Sequence, residues 1–588
     1  MKQFWTTVLG AFLGAFGAIF VCSIISFIIS VVVMVAMSGI FTSESKTVLE
    51  ENSILKIDLT GDVPDRGTPD AKFMSYLDDS KKGENLTSIL NSIAAAKTDK
   101  NIKGIYIECN GVATGVATLY EIRNAIQDFK STGKWVYAFG NEGISQGDYY
   151  VASAADSVFI NPVGILDIHG LGASIPYFKR LLDKVGVEMQ VVKVGTFKSA
   201  VEPYIMTEMS DANKLQQTAF LGSIWNTMSN DIAKSRKINV AALNQLADSI
   251  TLSRTADYLI KNKMVDGVCY KFNFEKKLKH LTDVKEDDDL KFISPSDFNT
   301  SIELKKHKEK IAVLYAEGEI DNHANEGVIA DDIIKSVMEA AKDKEVKGLV
   351  MRVNSPGGSA FDSEQMWAAL EEFKKTGKPY AVSMGSYAAS GGYYISCGAD
   401  RIFAEPVTIT GSIGIFGMIP NISNLLTDKL GVDMNTITTN ANGNFVSITQ
   451  PMTPFQRSQM QNYVNKGYEL FTSRCAKGRH MSVDSIKKIE GRVWDGKTAL
   501  KLGLVDQLGG MKDAMTWVAK KAKLENYSVK TMPSQKDFFE KYLSKFLNTK
   551  IKSFIYGESA EYLKYKEFVE GLMKQDRIQA RMEYIEIE

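Results

Sequence analysis

The segment VKGLVMRVNSPGGS at residues 346–359 matches IKGIYIECNGVATG at residues 102–115, which sets an offset of 244 residues between them. Each segment opens with a short apolar run bounded by Gly or Asn, as buried parallel strands are. Downstream of the first, SEQMWAALEEFKKTGK at 363–378 has helical spacing, with Lys near its end and Gly after it. Strands that alternate with helices predict an α/β layer fold.

The same offset relates two further pairs of segments. FKSTGKWVYAFG (129–140) aligns with FKKTGKPYAVSM (373–384), and GDYYVASAADSVFINP (147–162) aligns with GGYYISCGADRIFAEP (391–406). The register holds without a gap over about 60 positions, of which about a quarter are identical. An internal repeat of this kind predicts two tandem copies of one domain.

The chain of 588 residues is too long for a single hydrophobic core. We expect an N-terminal membrane anchor over 1–44, a first copy over 45–300, a second copy over 301–530 and a helical tail over 531–588. The charged stretch from about 270 to 308 is expected to link the copies. In the tail, Lys, Glu and aromatic residues at helical spacing predict a solvated or packing helix.

The N-terminus carries a long apolar run, with no charged residue from 8 to 37. About 20 apolar residues span a bilayer as a helix, whereas a cleavable signal peptide has an apolar region of about 7–15 residues. The length therefore favours a retained helix over about 8–37, with a cleaved signal as the alternative. Lys2 lies before the span, so the positive-inside rule places the bulk of the chain outside.

Composition argues against several classes of function. The 70 basic and 70 acidic residues cancel, so there is no basic excess of the kind that accompanies nucleic-acid binding. The five cysteines form no CxxC pair, and the five histidines form no HExxH motif. We therefore expect no nucleic-acid partner, no metal and no cofactor.

Two motifs of the second copy suit acyl-transfer chemistry. In NSPGGSA (354–360), two glycines after a strand let the backbone direct N–H groups at a ligand, as an oxyanion hole requires. In GSYAASGGYYIS (385–396), Ser390 lies among small residues before a Gly-Gly pair, which suits a tight entry to a helix. Each motif alone is also compatible with an ordinary turn, but together they predict Ser390 as a nucleophile.

A serine nucleophile needs a base, and neither His323 nor His480 of the second copy lies in a motif. The first copy offers Lys198 in KVGTFKSAVEPY (193–204). A lysine acts as a base when burial lowers its pKa from about 10.4 to about 7–8. The ordinary interpretation of any single lysine is a surface position.

The alignment of the copies favours the catalytic interpretation, because each copy lacks what the other has. The aligned positions are Ser390 with Gln146, Gly357 with Ala113, Gly358 with Thr114, and Lys198 with the region near Gly443. Complementary loss of this kind is expected when two copies share one catalytic centre.

These motifs, with TGSIGIFG (410–417), resemble the signal peptide peptidase A (protease IV) family in its long, duplicated form, over nearly the whole chain. The resemblance implies two tandem ClpP/crotonase-like repeats after an N-terminal transmembrane helix, and a Ser–Lys dyad. The implied site residues are Ser390 as nucleophile, Lys198 as general base, Gly357, Gly358 and Gly391 in the oxyanion hole, and Ser412 as the hydroxyl that orients the lysine.

The resemblance also implies a function. The chain would be a membrane-anchored serine endopeptidase that degrades cleaved signal peptides and other apolar peptides. It would act as a homotetramer on the outer, periplasmic side of the bacterial cytoplasmic membrane.

Two alternatives remain at this stage. One is a crotonase-like enzyme that acts on acyl-CoA thioesters without a nucleophile, which the predicted anchor and the AASGG serine oppose. The other is a membrane scaffold on a decayed protease fold, which the intact Ser390, Lys198 and NSPGGS oppose.

Overall fold

The computed structural model describes residues 49–67, 84–302, 306–324, 327–489, 491–534 and 578–582. The predicted anchor at about 8–37 lies outside these residues, and so does most of the tail. Among the helices that are described, none has the length and apolar character needed to cross a bilayer.

The first copy is built on a six-stranded parallel sheet. Across the sheet, the strands are Gly267–Val268, Ser157–Ile160, Trp135–Gly140, Ile102–Val112, Ser53–Gly61 and Phe292–Ile293. The apolar run at 104–109 is buried throughout, as the sequence predicts for a strand that is covered on both faces.

The second copy repeats this strand order in an eight-stranded sheet. The corresponding strands are Gln507–Leu508, Arg401–Ala404, Tyr380–Ala389, Val346–Ser355, Lys310–Glu317 and Ser528–Met532, and Ile409–Gly411 and Val493–Asp495 extend the sheet beside Tyr380–Ala389. Within this sheet only Val493–Asp495 runs antiparallel to its neighbour. The predicted mixed α/β architecture in two tandem copies is confirmed.

Helices cover both sheets. In the first copy they are Leu86–Ala96, Val116–Lys130, Gln146–Ala152, Lys179–Val185, Glu202–Ile205, Asp211–Arg236, Val240–Asp248, Ala256–Lys261, Lys271–Thr282 and Pro295–Ser301. In the second copy they are Ala330–Lys342, Ala360–Lys374, Gly391–Ser396, Pro454–Arg479, Val483–Lys487, Gly496–Lys501 and Met511–Lys521. Ala360–Lys374 is the helix predicted at 363–378, and it ends just before Gly377, whose φ is +74°.

The expectation of a linker at about 270–308 is wrong for most of that stretch. The helix Lys271–Thr282 buries Phe274 and Leu278 completely against aromatic residues of the first sheet. The strand Phe292–Ile293 then pairs with the edge of the same sheet. Charged residues dominate the composition here, but two apolar side chains four positions apart form one helix face, and that face is enough for docking.

A small antiparallel sheet, here called the bridging sheet, joins the two copies. Its strands in order are Gly357–Ser359, Ile578–Arg581, Phe416–Asn421 and Glu188–Lys193. The last strand comes from the first copy and pairs residue by residue with Phe416–Asn421 of the second. The tail was expected to be helical, yet residues 578–581 form a strand, because two neighbouring strand edges supply its hydrogen-bond partners.

A buried ion cluster also connects the copies. Arg352 lies within the strand Val346–Ser355 and is 2% exposed. Its Nη2 atom lies 2.8 Å from Asp65 Oδ1 and 2.7 Å from Glu121 Oε1, and both carboxylates belong to the first copy. Leaving any of these charges unpaired in the interior would be costly, so the cluster favours the observed contact between the copies.

Candidate active site

Ser390 occupies a sharp turn between the strand Tyr380–Ala389 and the helix Gly391–Ser396. Its φ of +56° and ψ of −111° are rare for a residue with a side chain. The turn is held because the Ser390 N–H donates to Gly411 O at 2.8 Å and the Tyr394 N–H donates to Ser390 O at 2.8 Å. The serine is completely buried, so its hydroxyl is surrounded by protein atoms and not by solvent.

Lys198 reaches this serine from the first copy, on the segment that follows the strand Glu188–Lys193. Its Nζ atom lies 2.7 Å from Ser390 Oγ, 3.0 Å from Ser412 Oγ and 3.2 Å from Ser412 O. The lysine is 1% exposed. Within the described part of the chain, no carboxylate forms an ion pair with this amine.

The electrostatic surroundings disfavour the ammonium form of this lysine. Burial lowers the pKa of Lys198 well below its usual value, and the positive charge of Arg581 lowers it further. A neutral amine has a lone pair that accepts the Ser390 hydroxyl proton, while its own N–H groups donate to Ser412. The arrangement can therefore generate a serine nucleophile near neutral pH.

The NSPGGS loop comes close to this pair, and only glycine fits at its centre. Gly357 has a φ of +101°, and a Cβ atom there would lie 2.7 Å from Gly391 N. A Cβ atom on Gly358 would lie 2.1 Å from Ile320 O. The Gly357 N–H donates to Ser355 Oγ at 3.2 Å, and Gly358 pairs with Ala580 in the bridging sheet. Gly358 and Gly391 are the candidate oxyanion donors, because both flank the Ser390 turn.

The corresponding position of the first copy has a structural role instead. The Gln146 side chain donates to Gly170 O at 2.7 Å and accepts from the Gly170 N–H at 2.8 Å. Two residues on, the Asp148 carboxylate accepts from the N–H groups of Gly111 and Val112 at 3.0 and 3.1 Å. Backbone donors that could have met a ligand are thus satisfied within the chain.

Sequence reasoning missed two neighbours of the dyad. Gly414 O lies 3.5 Å from Ser390 Oγ, and a Cβ atom on Gly414 would lie 3.2 Å from Lys198 Cδ, so this glycine of TGSIG makes room for the lysine. The glycine in that motif could have indicated a close approach of another residue. The sequence around Arg581 contains no such indication, because only the bridging sheet brings Arg581 near Lys198.

A buried serine in contact with a lysine amine, on an α/β scaffold of two tandem copies, is the architecture of a serine hydrolase. The chain belongs to Peptidase family S49, whose model matches residues 128–285 and again residues 372–525, and it is a serine protease. The two matches begin 244 residues apart, which is the offset of the internal repeat.

The chain is similar to proteases along most of its length. It is 35% identical over 494 residues to Protease 4 of Salmonella typhi, which covers 80% of this chain and 79% of the relative. For Protease 4 of Haemophilus influenzae the identity is 35% over 497 residues, with 81% and 80% covered. The Putative signal peptide peptidase SppA of Enterococcus faecium is 35% identical over 218 residues, which cover 37% of this chain and 63% of that protein.

Among solved structures, a ClpP1 mutant from Listeria monocytogenes matches 34% of this chain and 94% of its own, at 15% identity and a TM-score of 0.24.

Proposed function

We propose that this chain is a membrane-anchored endopeptidase with a Ser–Lys dyad that degrades cleaved signal peptides and other apolar peptides. The observation that carries the proposal is the 2.7 Å contact between Lys198 Nζ and Ser390 Oγ in a buried site. In this proposal Ser390 is the nucleophile, Lys198 the general base, and Ser412 the group that orients the lysine.

The reaction begins when the neutral Lys198 amine takes the Ser390 hydroxyl proton and Oγ bonds to the carbonyl carbon of the peptide. The carbonyl oxygen becomes negative, and the backbone N–H groups of Gly358 and Gly391 stabilise it. The Lys198 ammonium then protonates the departing amine, which leaves an acyl group on Ser390. Water, deprotonated by the same lysine, attacks this ester, and the Lys198 ammonium returns the proton to Ser390 Oγ as the carboxylic acid product leaves.

The proposed substrate class is supported by the name of one relative and by the family resemblance. The recess beside Lys198 and Ser412 has a mixed lining, with apolar Phe197, Ala200 and Val493 next to polar Ser199, Gln216 and Gln217. One relative carries the name signal peptide peptidase, and signal peptides are apolar by composition.

The proposed location is the outer, periplasmic side of the bacterial cytoplasmic membrane, with the helix over about 8–37 as the anchor. The proposed division of the chain is an anchor over 1–44, copies over 45–300 and 301–530, and a tail over 531–588. The apolar run at the N-terminus and the internal repeat support this division.

A homotetramer is part of the same proposal. In the second copy, the end of a short helical stretch and the irregular segment after it expose several large apolar side chains to solvent: Leu430, Val432, Met434, Ile437 and Phe445. Ile437 is 98% exposed. A segment that exposes this many large apolar side chains suits contact with a second copy of the chain.

Incubation of the detergent-solubilised full chain with a synthetic signal peptide tests the proposal, with the products identified by mass spectrometry. We expect internal cleavage of this peptide and much slower cleavage of a hydrophilic peptide of equal length. Ser390→Ala should abolish cleavage. Ser396→Ala should not, because its hydroxyl donates to Gly392 O in the preceding turn of the helix.

Equal cleavage of the two peptides would contradict the proposed substrate class. Undiminished cleavage by Ser390→Ala would contradict the proposed chemistry.

A further inference from the structure

A buried glutamine of the first copy holds the chain on both sides of Lys198. The Nε2 atom of Gln216 lies 3.2 Å from Phe197 O and 2.9 Å from Ser199 Oγ, and it donates to both. These two residues are the immediate neighbours of the lysine in the chain. Residues 197–199 are called the lysine segment below. Gln216 is 1% exposed, so its bonds to this segment do not compete with water.

The other end of the same amide contacts the second copy. Gln216 Oε1 accepts the Val493 N–H at 3.2 Å. The residue before Val493 is Arg492, whose carbonyl oxygen accepts the Ser412 N–H at 2.9 Å. Ser412 is one of the groups that the lysine amine contacts. Gln216 therefore links the lysine segment to the part of the second copy that holds Ser412.

The surroundings allow only one orientation of the Gln216 amide. Phe197 O can only accept and the Val493 N–H can only donate, so the amide nitrogen faces the first and the amide oxygen faces the second. Asn213, one turn earlier on the same helix, accepts from Gln216 Nε2 at 3.0 Å and donates to Glu202 Oε2 at 3.2 Å. Rotation of the Gln216 amide would therefore break bonds to both copies.

Other contacts bring the lysine segment against the second copy without directing it. The Arg492 guanidinium lies between two rings, with its Cζ atom 5.2 Å from the centre of Phe197 and 4.4 Å from that of Trp494. A Cβ atom on Gly491 would lie 3.7 Å from Lys198 N, which is ordinary van der Waals contact. Such contacts tolerate small shifts, whereas the hydrogen bonds of Gln216 depend on both distance and angle.

The equivalent helix of the second copy lacks this arrangement. The helices Asp211–Arg236 and Pro454–Arg479 both have 26 residues, and each follows a residue whose hydroxyl caps it. The sixth residue of each helix is a glutamine, but Gln459 is exposed whereas Gln216 is buried. The glutamine is therefore buried only in the copy that carries the lysine.

We propose that Gln216 is a positioning residue for Lys198, which it aims at Ser390 by tying the lysine segment to the second copy. The inference rests on the proposed function and adds a residue to the machinery of that site. Gln216 is enclosed by its protein partners, so it does not touch the substrate. It acts through the lysine, because misplacing a reacting group by about 1 Å can cost about 100-fold in rate.

Steady-state cleavage of the synthetic signal peptide by the full chain with Gln216→Met tests the inference. Methionine fills the space of glutamine but cannot replace its hydrogen bonds. We expect kcat to fall about 10- to 100-fold with KM unchanged. The rising limb of kcat/KM against pH should also move to higher pH, because a loosened segment admits water and weakens the burial that lowers the pKa of Lys198.

Thr227→Val is the matched control. Thr227 lies on the same helix as Gln216 and is 4% exposed, and its hydroxyl accepts from Lys497 Nζ of the second copy at 2.8 Å. The control thus loses a buried bond between the copies but none to the lysine segment. We expect its kcat and its pH profile to equal those of the wild type. If Thr227→Val changed both as much as Gln216→Met does, the effect would be general loosening and the inference would be overturned.

Ser199→Ala keeps the test decisive if Gln216→Met does not fold. It removes only the 2.9 Å bond to Gln216 Nε2, so kcat should fall about 3- to 10-fold with the same displacement of the pH limb. Wild-type kcat and a wild-type pH limb in the variant that folds, as judged by far-UV circular dichroism, would overturn the inference and leave the proposed function intact. Absence of cleavage by the wild type would overturn the proposed function and the inference with it.

Discussion

The Nζ atom of Lys198 lies 2.7 Å from the Oγ atom of Ser390, although 192 residues separate them in the chain. One residue comes from each copy of the repeated domain, and the bridging sheet and the Arg352 cluster hold the copies in this arrangement. Neither copy alone contains both groups. The site therefore depends on the interface between the copies as much as on its own residues.

The pH dependence of peptide cleavage should follow the protonation of Lys198. The reactive form is the neutral amine, so kcat/KM should rise with pH through the pKa of this lysine and then level off. Because burial lowers that pKa well below 10.5, the plateau should begin well short of pH 10.5. A profile from about pH 5 to about pH 10 measures this. Activity that stays flat to low pH would contradict a lysine base.

Ser412→Ala should lower kcat about 10- to 100-fold with little change in KM. The variant removes a 3.0 Å hydrogen bond that aims the Lys198 amine, and such a bond is worth about 1.5–3 kcal/mol. Steady-state kinetics on the peptide substrate measure the effect. Ser473→Ala is the matched control, since that hydroxyl is exposed and donates only to Leu470 O of its own helix. Equal kcat in the two variants would remove Ser412 from the mechanism.

Arg352→Met should destabilise the fold by about 3–5 kcal/mol, because it leaves the carboxylates of Asp65 and Glu121 buried without a cation. Activity should fall with it as the copies separate. Denaturant unfolding and peptide cleavage measure the two effects. Lys487→Met, which breaks an exposed ion pair with Glu469, should cost at most about 1 kcal/mol. Similar unfolding midpoints for both variants would show that the buried cluster does not hold the interface.

Glu317 should make the stability of the fold depend on pH. Burial raises its pKa from 4.5 to about 7, and the negative charge of Asp65 adds to the rise. The folded chain thus holds this proton more tightly than the unfolded chain, and the resulting stability is complete below about pH 4.5 and lost as pH rises through about 7. Glu317→Gln stays neutral throughout, so it should be the more stable form above pH 7, by up to about 3 kcal/mol.

Thermal unfolding at about pH 4.5 and about pH 8.5 measures this difference. The variant should match the wild type at the lower pH and exceed it at the higher one. Glu372→Gln, which removes a carboxylate from an exposed ion pair with Lys375, is the matched control for the loss of one negative charge. A constant difference between Glu317→Gln and the wild type would contradict the raised pKa.

Much of the architecture could be predicted because each copy of the repeat shows its strands as short apolar runs in the local sequence. The buried runs at 104–109 and 348–353 and their shared offset predicted corresponding strands in two sheets, and both are observed. The pairing of Lys198 with Ser390 was inferred from aligned losses between the copies rather than from either motif alone. Their distance could come only from the structure.

The features that were missed depend on distant partners. Residues 578–581 have no marked strand pattern, and they form a strand because two edges of the bridging sheet are available to them. Arg352 lies inside an apolar run, where a charge is stable only because Asp65 and Glu121 meet it from the other copy. A local pattern carries no information about such partners.

The most direct test of the central claim is the acylation of Ser390 in the variant Lys198→Met, followed by intact mass after addition of a serine-directed probe. Methionine fills the buried space with an apolar chain but accepts no proton. We predict one adduct on Ser390 in the wild type and in the surface control Lys179→Met, and none in Lys198→Met over the same time. An adduct that forms on Lys198→Met at the wild-type rate would contradict the dyad.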